Sequence, residues 1–277
     1  MMRAMYAAVS GLKNHQTLLD VTANNIANVN TVGYKASRVT FADSLSQLEI
    51  GATAPGNGQA GRNPAQVGLG VKLGSIDNLM GEGSQQSTGE TTDLSIEGEG
   101  MFIVGDGTPP ATLPKTMEYT RAGNFTFNQE GFLTTQAGEY VLGKKAPGGG
   151  VPDTFIQVPK GSTDVSIGQD GSVSYVPEGG GERVTAGYIS IAKFQNEAGL
   201  QRTAGSNWIE SAASGKAQDG TPGEGFGLTI SGTLEMSNVE LASEFTNMID
   251  AQRGFEANSR VISTADEMLQ NLVNLKR

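Results

Sequence analysis

The chain has 277 residues, of which 37% are hydrophobic and only 17% charged, with 39 glycines, no cysteine and a formal net charge of −10. The acidic balance without any basic cluster excludes a nucleic-acid partner, and the lack of cysteine excludes a disulfide framework or a thiolate metal site. No apolar run reaches the length of a membrane span, so no membrane insertion is expected.

All ten prolines and 36 of the 39 glycines lie between Gly51 and Leu234. The two ends therefore read as helix, and the middle as a turn-rich β body. At the N-terminal end, Met2, Met5, Val9, Leu12, Gln16, Leu19, Ala23 and Ile26 recur at steps of three and four, an amphipathic helix with a seam of heptad type. Arg3 followed by Ala4 to Leu12 has the outline of a short secretory signal. Lys13, Asn14, His15 and Gln16 follow at once, with no small-residue cleavage site, so export without a cleaved signal is the expectation.

The helix then runs into Asn24, Asn25, Asn28 and Asn30, whose amides compete for backbone groups, and Gly33 marks its expected end. Two readings of these amides stay open. They cap the helix and shape a turn, or they hydrogen-bond neighbouring chains at a fixed register. Residues 36–75 read as an extended connector. Within it Gly51 to Gly70 has the composition of a flexible linker, and Asn57-Gly58 is a weak hairpin signal.

From Val71 to Leu234, short alternating runs are separated by turns. Phe125-Thr126-Phe127 and Phe132-Leu133-Thr134 flank one hairpin loop. Val165-Ser166-Ile167 and Val173-Ser174-Tyr175 flank another, with a type I′ signal at Asp170-Gly171. Tyr188 to Ala192 reads as a core strand, Trp208 as an anchor of the same core, and Gly148-Gly149-Gly150 as a loop tip.

The last forty residues return to helical spacing. Ser237 and Glu240 have the form of a capping box. Leu241, Phe245, Met248, Gln252, Phe255, Ser259 and Ile262 carry one stripe, continued by Val261, Ala265, Met268, Leu272 and Leu275, with Ile249 and Leu269 alongside. Lys276 and Arg277 set cations at the last carbonyls. A single helix here spans about 55–60 Å, too long for a small domain to cover. The spacing thus predicts an α+β chain in which long N- and C-terminal helices pack as a coiled-coil-like pair, with a central all-β domain. The expected units are 1–35 plus 237–277 as the helical part, 36–75 as connector and 76–236 as the β part. The helix-packing candidates are Met5, Val9, Leu12, Leu19, Ile26, Leu241, Phe245, Ile249, Phe255, Ile262, Leu269 and Leu272.

Catalytic chemistry finds no foothold. His15 is the single histidine and has no spacing partner for zinc. Gly68, Gly70 and Gly74 lack the Lys-Ser/Thr of a phosphate loop. Asp106-Gly107 and Asp170-Gly171 lack alternating calcium ligands. The chain reads as a non-enzyme without cofactor or metal.

Ala23-Asn24-Asn25-Ile26-Ala27-Asn28-Val29-Asn30-Thr31 followed by Gly33-Tyr34-Lys35 resembles the N-terminal signature of the bacterial flagellar rod and hook proteins, the axial family. Glu235 to Leu241, and Met248 to Phe255 on through Asn258-Ser259-Arg260, are similar to its C-terminal signature. Thr92 to Phe102 and Tyr119 to Phe125 are similar to internal motifs. The resemblance marks Asn24, Asn25, Asn28, Asn30, Gly33, Gln252, Arg253 and Asn258 as motif and register positions.

Within the family, Gln66 to Val71 and the ending Glu267 to Arg277 resemble the short, Gram-positive-type hook subunit, with the distal rod subunit second. The implied function is a homopolymeric helical tube acting as a flexible torque-transmitting joint, or, for the rod, a stiff drive shaft. Implied partners are rod and hook-filament junction proteins, a hook cap protein and the flagellar type III export apparatus. A secreted β-domain adhesin with helical anchors is a more remote alternative.

Overall fold

The computed structural model describes residues 2–52, 54, 61–107, 114, 116–148, 150–223 and 225–275. Asn57, Gly58, Gly149, Lys276 and Arg277 lie outside the described residues. The chain is α+β and divides into two compact units. One comprises Met1–Ala27, Ser37–Asn78 and Glu240–Arg277, the other Asn28–Ala36 and Leu79–Val239.

The first unit begins with helix α1 (Met2–Ala27). The stretch after residue 36, expected as an extended connector, instead forms paired strands. These are β1 (Ser37–Asp43), β2 (Ser46–Ile50), β3 (Ala65–Gly68) and β4 (Val71–Asn78). β1 pairs antiparallel with β4 through a bulge at Thr40/Phe41, and β2 pairs with β3. Val39, Thr40 and Phe41 suit a pleated, half-covered surface. Polar side chains of α1 hold this ribbon: Asn14 donates to the Val71 carbonyl at 2.8 Å, and Ser10 Oγ accepts from the Val71 amide at 3.3 Å. Asn25 both donates to the Ser37 carbonyl and accepts from its amide, at 2.8 and 3.0 Å, imitating a strand partner.

Helix α2 (Leu241–Asn274) closes the unit. Its 34 residues correspond to about 51 Å. The expected capping box does not form. Glu240 occupies the N-cap without a side-chain bond, while Ser237 is buried and accepts from the Val239 amide.

α1 and α2 lie against each other, on a line the apolar spacing did not choose. On α2 the buried or half-buried positions are Glu244, Met248, Ala251, Gly254, Asn258, Ile262, Ala265 and Leu269. On α1 the buried positions are Ala8, Gly11, Asn14, Thr22 and Asn25. Steps of three and four persist, but much of each line is displaced one residue toward the N-terminus from the expected seam, about 100° around a helix. The cause is steric. A Cβ on Gly11 would stand 2.7 Å from the Asn258 amide nitrogen, and one on Gly254 would stand 2.4 Å from the His15 ring. Glycine at these two places lets the helices approach along small and polar residues.

The second unit is built on a large antiparallel sheet. Of the unit's early strands, β5 (Gln85–Ser87) and β6 (Leu94–Glu97) pair outside that sheet, with Thr233–Glu235 and Leu228–Ser231, and β7 (Met101–Gly105) lies within it. β7 is buried along its whole length and lies between Tyr140–Lys144 and Glu118–Thr120. Alternation along it feeds two cores. Phe102 and Val104 join Leu94, Phe125, Leu133 and Ile189, whereas Met101 and Ile103 join Tyr119, Leu142 and Trp208. Leu133 pairs with Phe127 as the hairpin pattern predicts.

The second hairpin departs from its expected turn. Gly168 accepts from the Gly171 amide and donates to Ser172, and Gly171 has φ +73°. This is a three-residue loop ending in a left-handed glycine, in place of the two-residue type I′ turn. Tyr188–Ala192 is strand on both sides of Ser190, and Trp208 is fully buried.

Two outcomes test this arrangement. Because residues 28–36 belong to the β unit, proteolysis that removes the helices should leave 28–36 bound to 79–239. A resistant core lacking 28–36, such as 70–235 alone, would contradict it; mass spectrometry of the digest distinguishes them. The second concerns Glu244, whose carboxyl is pushed up by burial, partly offset by a hydrogen bond with Asn25. Its folded pKa lies above the ordinary glutamate value of 4.5, so its contribution is fully present below that value and lost as pH rises through the folded pKa. Glu244→Gln should therefore stabilise the helix pair relative to wild type at pH 7 and lose that advantage below pH 4.5. Thermal melts of helical circular dichroism at both pH values check this; a mutant-minus-wild-type difference independent of pH would contradict it.

Candidate assembly surface

Covering small residues leaves large ones outside. On α1, Tyr6 is 69% exposed, and Met2 and Val9 are exposed with it. On α2, Leu241, Phe245, Ile249, Phe255, Val261, Met268, Leu272, Val273 and Leu275 are all exposed, Phe245 and Ile249 by about half. Long exposed apolar stripes of this kind mark interaction surfaces.

The twelve helix-packing candidates sort as follows. Met5, Leu12, Leu19, Ile26, Ile262 and Leu269 are half-buried. Val9, Leu241, Phe245, Ile249, Phe255 and Leu272 are exposed. None is buried. Of the buried small residues, Ala265 lies on the expected α2 stripe, whereas Ala8, Gly11 and Ala251 fall off the apolar spacing because they carry little or no side chain. A search for small residues at the same spacing finds them. His15 sits half-buried against Gly254, with its ring 6.4 Å from that of Phe41.

The motif positions divide between the units. Asn25 is buried at Ser37, and Asn258 is half-buried at Gly11 while donating to the Gly254 carbonyl at 2.9 Å. Gln252 and Arg253 are exposed. Asn24 and Asn30 are exposed, and Asn28 is half-buried with its side-chain oxygen accepting from Thr31. Gly33 ends no helix, since α1 stops at Ala27. It adopts φ +66°, and a Cβ there would stand 2.5 Å from the Ala122 amide nitrogen. Only glycine fits that close approach.

Behind Gly33, residues 34–36 are held deep in the β unit. Arg202 lies 4.3 Å over the Tyr34 ring and 5.1 Å over Trp208, and donates to the Lys35 carbonyl. Lys35 is 1% exposed, and its ammonium donates to Glu235 at 2.5 Å. Burial holds that ammonium below the usual lysine range against the attraction of Glu235. Sequence reading identified this stretch as motif but assigned Lys35 and Glu235 no role, because their partners are 200 residues apart.

Among the described residues no group of histidine, aspartate and glutamate could hold a metal ion, and no helix is long and apolar enough to cross a membrane.

Family comparisons agree with that chemistry. Residues 230–275 match the model described as flagellar basal body rod FlgEFG protein C-terminal, residues 95–175 the flagellar hook protein FlgE/F/G D1 domain, and residues 5–35 the flagella basal body rod protein. The chain is 47% identical, over the full length of both, to the flagellar basal-body rod protein FlgG of Bacillus subtilis. It is 39% identical to the protein of that name from Caulobacter vibrioides, covering 99% of this chain and all of the relative. The flagellar hook protein FlgE of Borreliella burgdorferi is 28% identical across the whole of both chains, in an alignment of 448 positions. These relatives favour the rod reading over the hook reading drawn from Gln66 to Val71 and the C-terminal ending. The match to three family models and the full-length identity to rod proteins place the chain in the flagellar rod and hook axial family, whose members are structural proteins of the basal body and hook and not enzymes.

Proposed function

We propose that this chain is the distal rod subunit of the flagellar basal body, polymerising into a stiff helical tube that serves as a drive shaft. The observation that carries the reading is the outward apolar stripe on α2 (Phe245, Ile249 and Phe255 among its residues), which one copy of the chain leaves exposed. A contact made between unlike faces and repeated with rotation and rise yields an open filament. Each large apolar side chain covered by a neighbour contributes about 1.5–3 kcal/mol.

In this reading the terminal helices of successive copies pair in coiled-coil fashion and form the wall of the tube. The rod reading is supported by the relatives named rod protein, which match end to end, whereas alignment with the hook protein needs far more positions than this chain supplies. Only about 140 residues separate Thr92 from Leu234, which leaves little room for a second large outer domain. Partners in this reading are further copies, adjoining rod and hook subunits, and the flagellar export apparatus, with export proceeding without a cleaved signal.

Electron microscopy of concentrated protein tests the proposal. Straight tubes of uniform width support the rod; bent tubes return the hook to first place, and absence of polymer contradicts both. Phe255→Asp should abolish polymer while leaving the thermal transition of the β unit unchanged. Normal tubes from that variant would remove the stripe from the account.

A further inference from the structure

The most heavily buried charges in the described chain are those that close the β unit. Glu235 is fully buried, and both carboxylate oxygens are used. Oε1 accepts from the Lys35 ammonium at 2.5 Å and from the Gly83 amide at 2.9 Å; Oε2 accepts from Arg121 at 3.1 Å. The cations have further partners, although the buried Arg121 Nε has none. Lys35 donates to the Gly81 carbonyl at 2.8 Å, and Arg121 donates to the Gly98 and Ile96 carbonyls at 2.7 and 3.3 Å.

The backbone repeats the connection. The Gly33 amide donates to the Glu235 carbonyl, and Glu235 is itself a strand residue opposite Gln85. The Asn238 side chain accepts from the Ala36 amide and donates to the Leu79 and Gly81 carbonyls. Three segments thus meet at one carboxylate: residues 33–36, residues 81–83 and residues 235–238. The first and last are separated by nearly the whole β unit in sequence.

We propose that Glu235 is a closure latch, which makes completion of the β unit conditional on the simultaneous presence of residues 33–36 and 235–238. The reasoning is electrostatic. A buried ion pair adds little by itself, because desolvation offsets attraction, but removal of one partner strands the other in a medium that cannot solvate it. Arg121 and Glu235 come from the body and its last strand, Lys35 from before its first. Without Lys35 the carboxylate keeps only Arg121 and the Gly83 amide; without Glu235 two cations are left facing each other. Neither half-assembled arrangement is stable, so whichever end of the chain arrives last completes the unit. By contrast the Lys193–Glu99 pair of the same unit is largely exposed and has solvent as an alternative partner.

Full-length Lys35→Met and Glu235→Gln test the latch against Lys193→Met as a control. Each latch variant should lower the melting temperature of the β unit by about 6–15 °C, whereas the control shifts it by no more than about 2 °C. Amide hydrogen exchange supplies the readout that a local defect would not move. In Lys35→Met, protection should fall at residues 85–87 and 233–235, remote in sequence from the substitution, as well as at Gly33. The double variant should be markedly less destabilised than the sum of the two singles. The latch is overturned if the singles melt with wild type, if their effects add, or if exchange in Lys35→Met rises only near residues 33–36. Should a latch variant fail to fold, Lys35→Arg, which keeps the charge, should restore part of the stability; failure of Lys35→Arg to exceed Lys35→Met would likewise overturn it.

Discussion

Glycine at positions 254 and 11 lets the side chains of His15 and Asn258 lie close against the facing helix. Any Cβ at Gly254 would press on the His15 ring, and any at Gly11 would press on Asn258. Two helices that meet through glycine, alanine and asparagine come together along their thinnest edges. Several of the large side chains, Val9, Leu241, Phe245, Ile249 and Leu272 among them, are then left exposed, while Ile262 and Leu269 are half-buried. In a monomeric protein this arrangement would be wasteful, since covering those side chains is the main source of stability. In a subunit of a polymer it is the means of association: the contact within one chain uses the small residues, and the large ones remain for neighbours.

The β unit has the opposite character. Glu235 is buried with a partner on each carboxylate oxygen, and the strands carry apolar residues to two separate cores from the two faces of β7. The loop from Asn28 to Ala36 belongs to it and not to the preceding helix. Tyr34, Lys35 and Ala36 are each held by a different device: a cation over a ring, an ion pair, and an asparagine amide. The chain enters and leaves this unit through segments that bond each other, Gly33 to Glu235 and Ala36 to Asn238.

Much of the architecture was legible from spacing alone. The period of the terminal helices, the concentration of glycine and proline between them, and the hairpin at Asn128 to Gly131 all follow local rules that a single chain obeys. The phase of the helix contact was not legible by the rule used. Apolar periodicity marks large side chains, and the structure covers some of them (Met248 and Ile262) and leaves others open, so the spacing points to Phe245 and Phe255 and not to Ala251 and Gly254.

Asn25 shows the same limit. Its place in an asparagine-rich stretch admits two readings, a helix end that shapes a turn or a contact with a neighbouring chain. The structure adds that it serves as a surrogate strand for its own Ser37. The ribbon of residues 37–78 was hidden because half of its pairing joins residues about thirty or more apart. Lys35 and Glu235 were hidden for a similar reason, since no local pattern announces a partner 200 residues away.

The central claim is that the outward stripe of α2 is the surface on which copies meet. Met268, half exposed among the outward apolar residues of α2, offers a direct probe beside Met101, which is buried in the β core. Peroxide oxidation followed by peptide mass spectrometry, on unassembled and polymerised protein, reads both at once. The account predicts rapid oxidation of Met268 in the unassembled chain, strong protection in the polymer, and Met101 protected throughout. Equal oxidation of Met268 in the two states would contradict it.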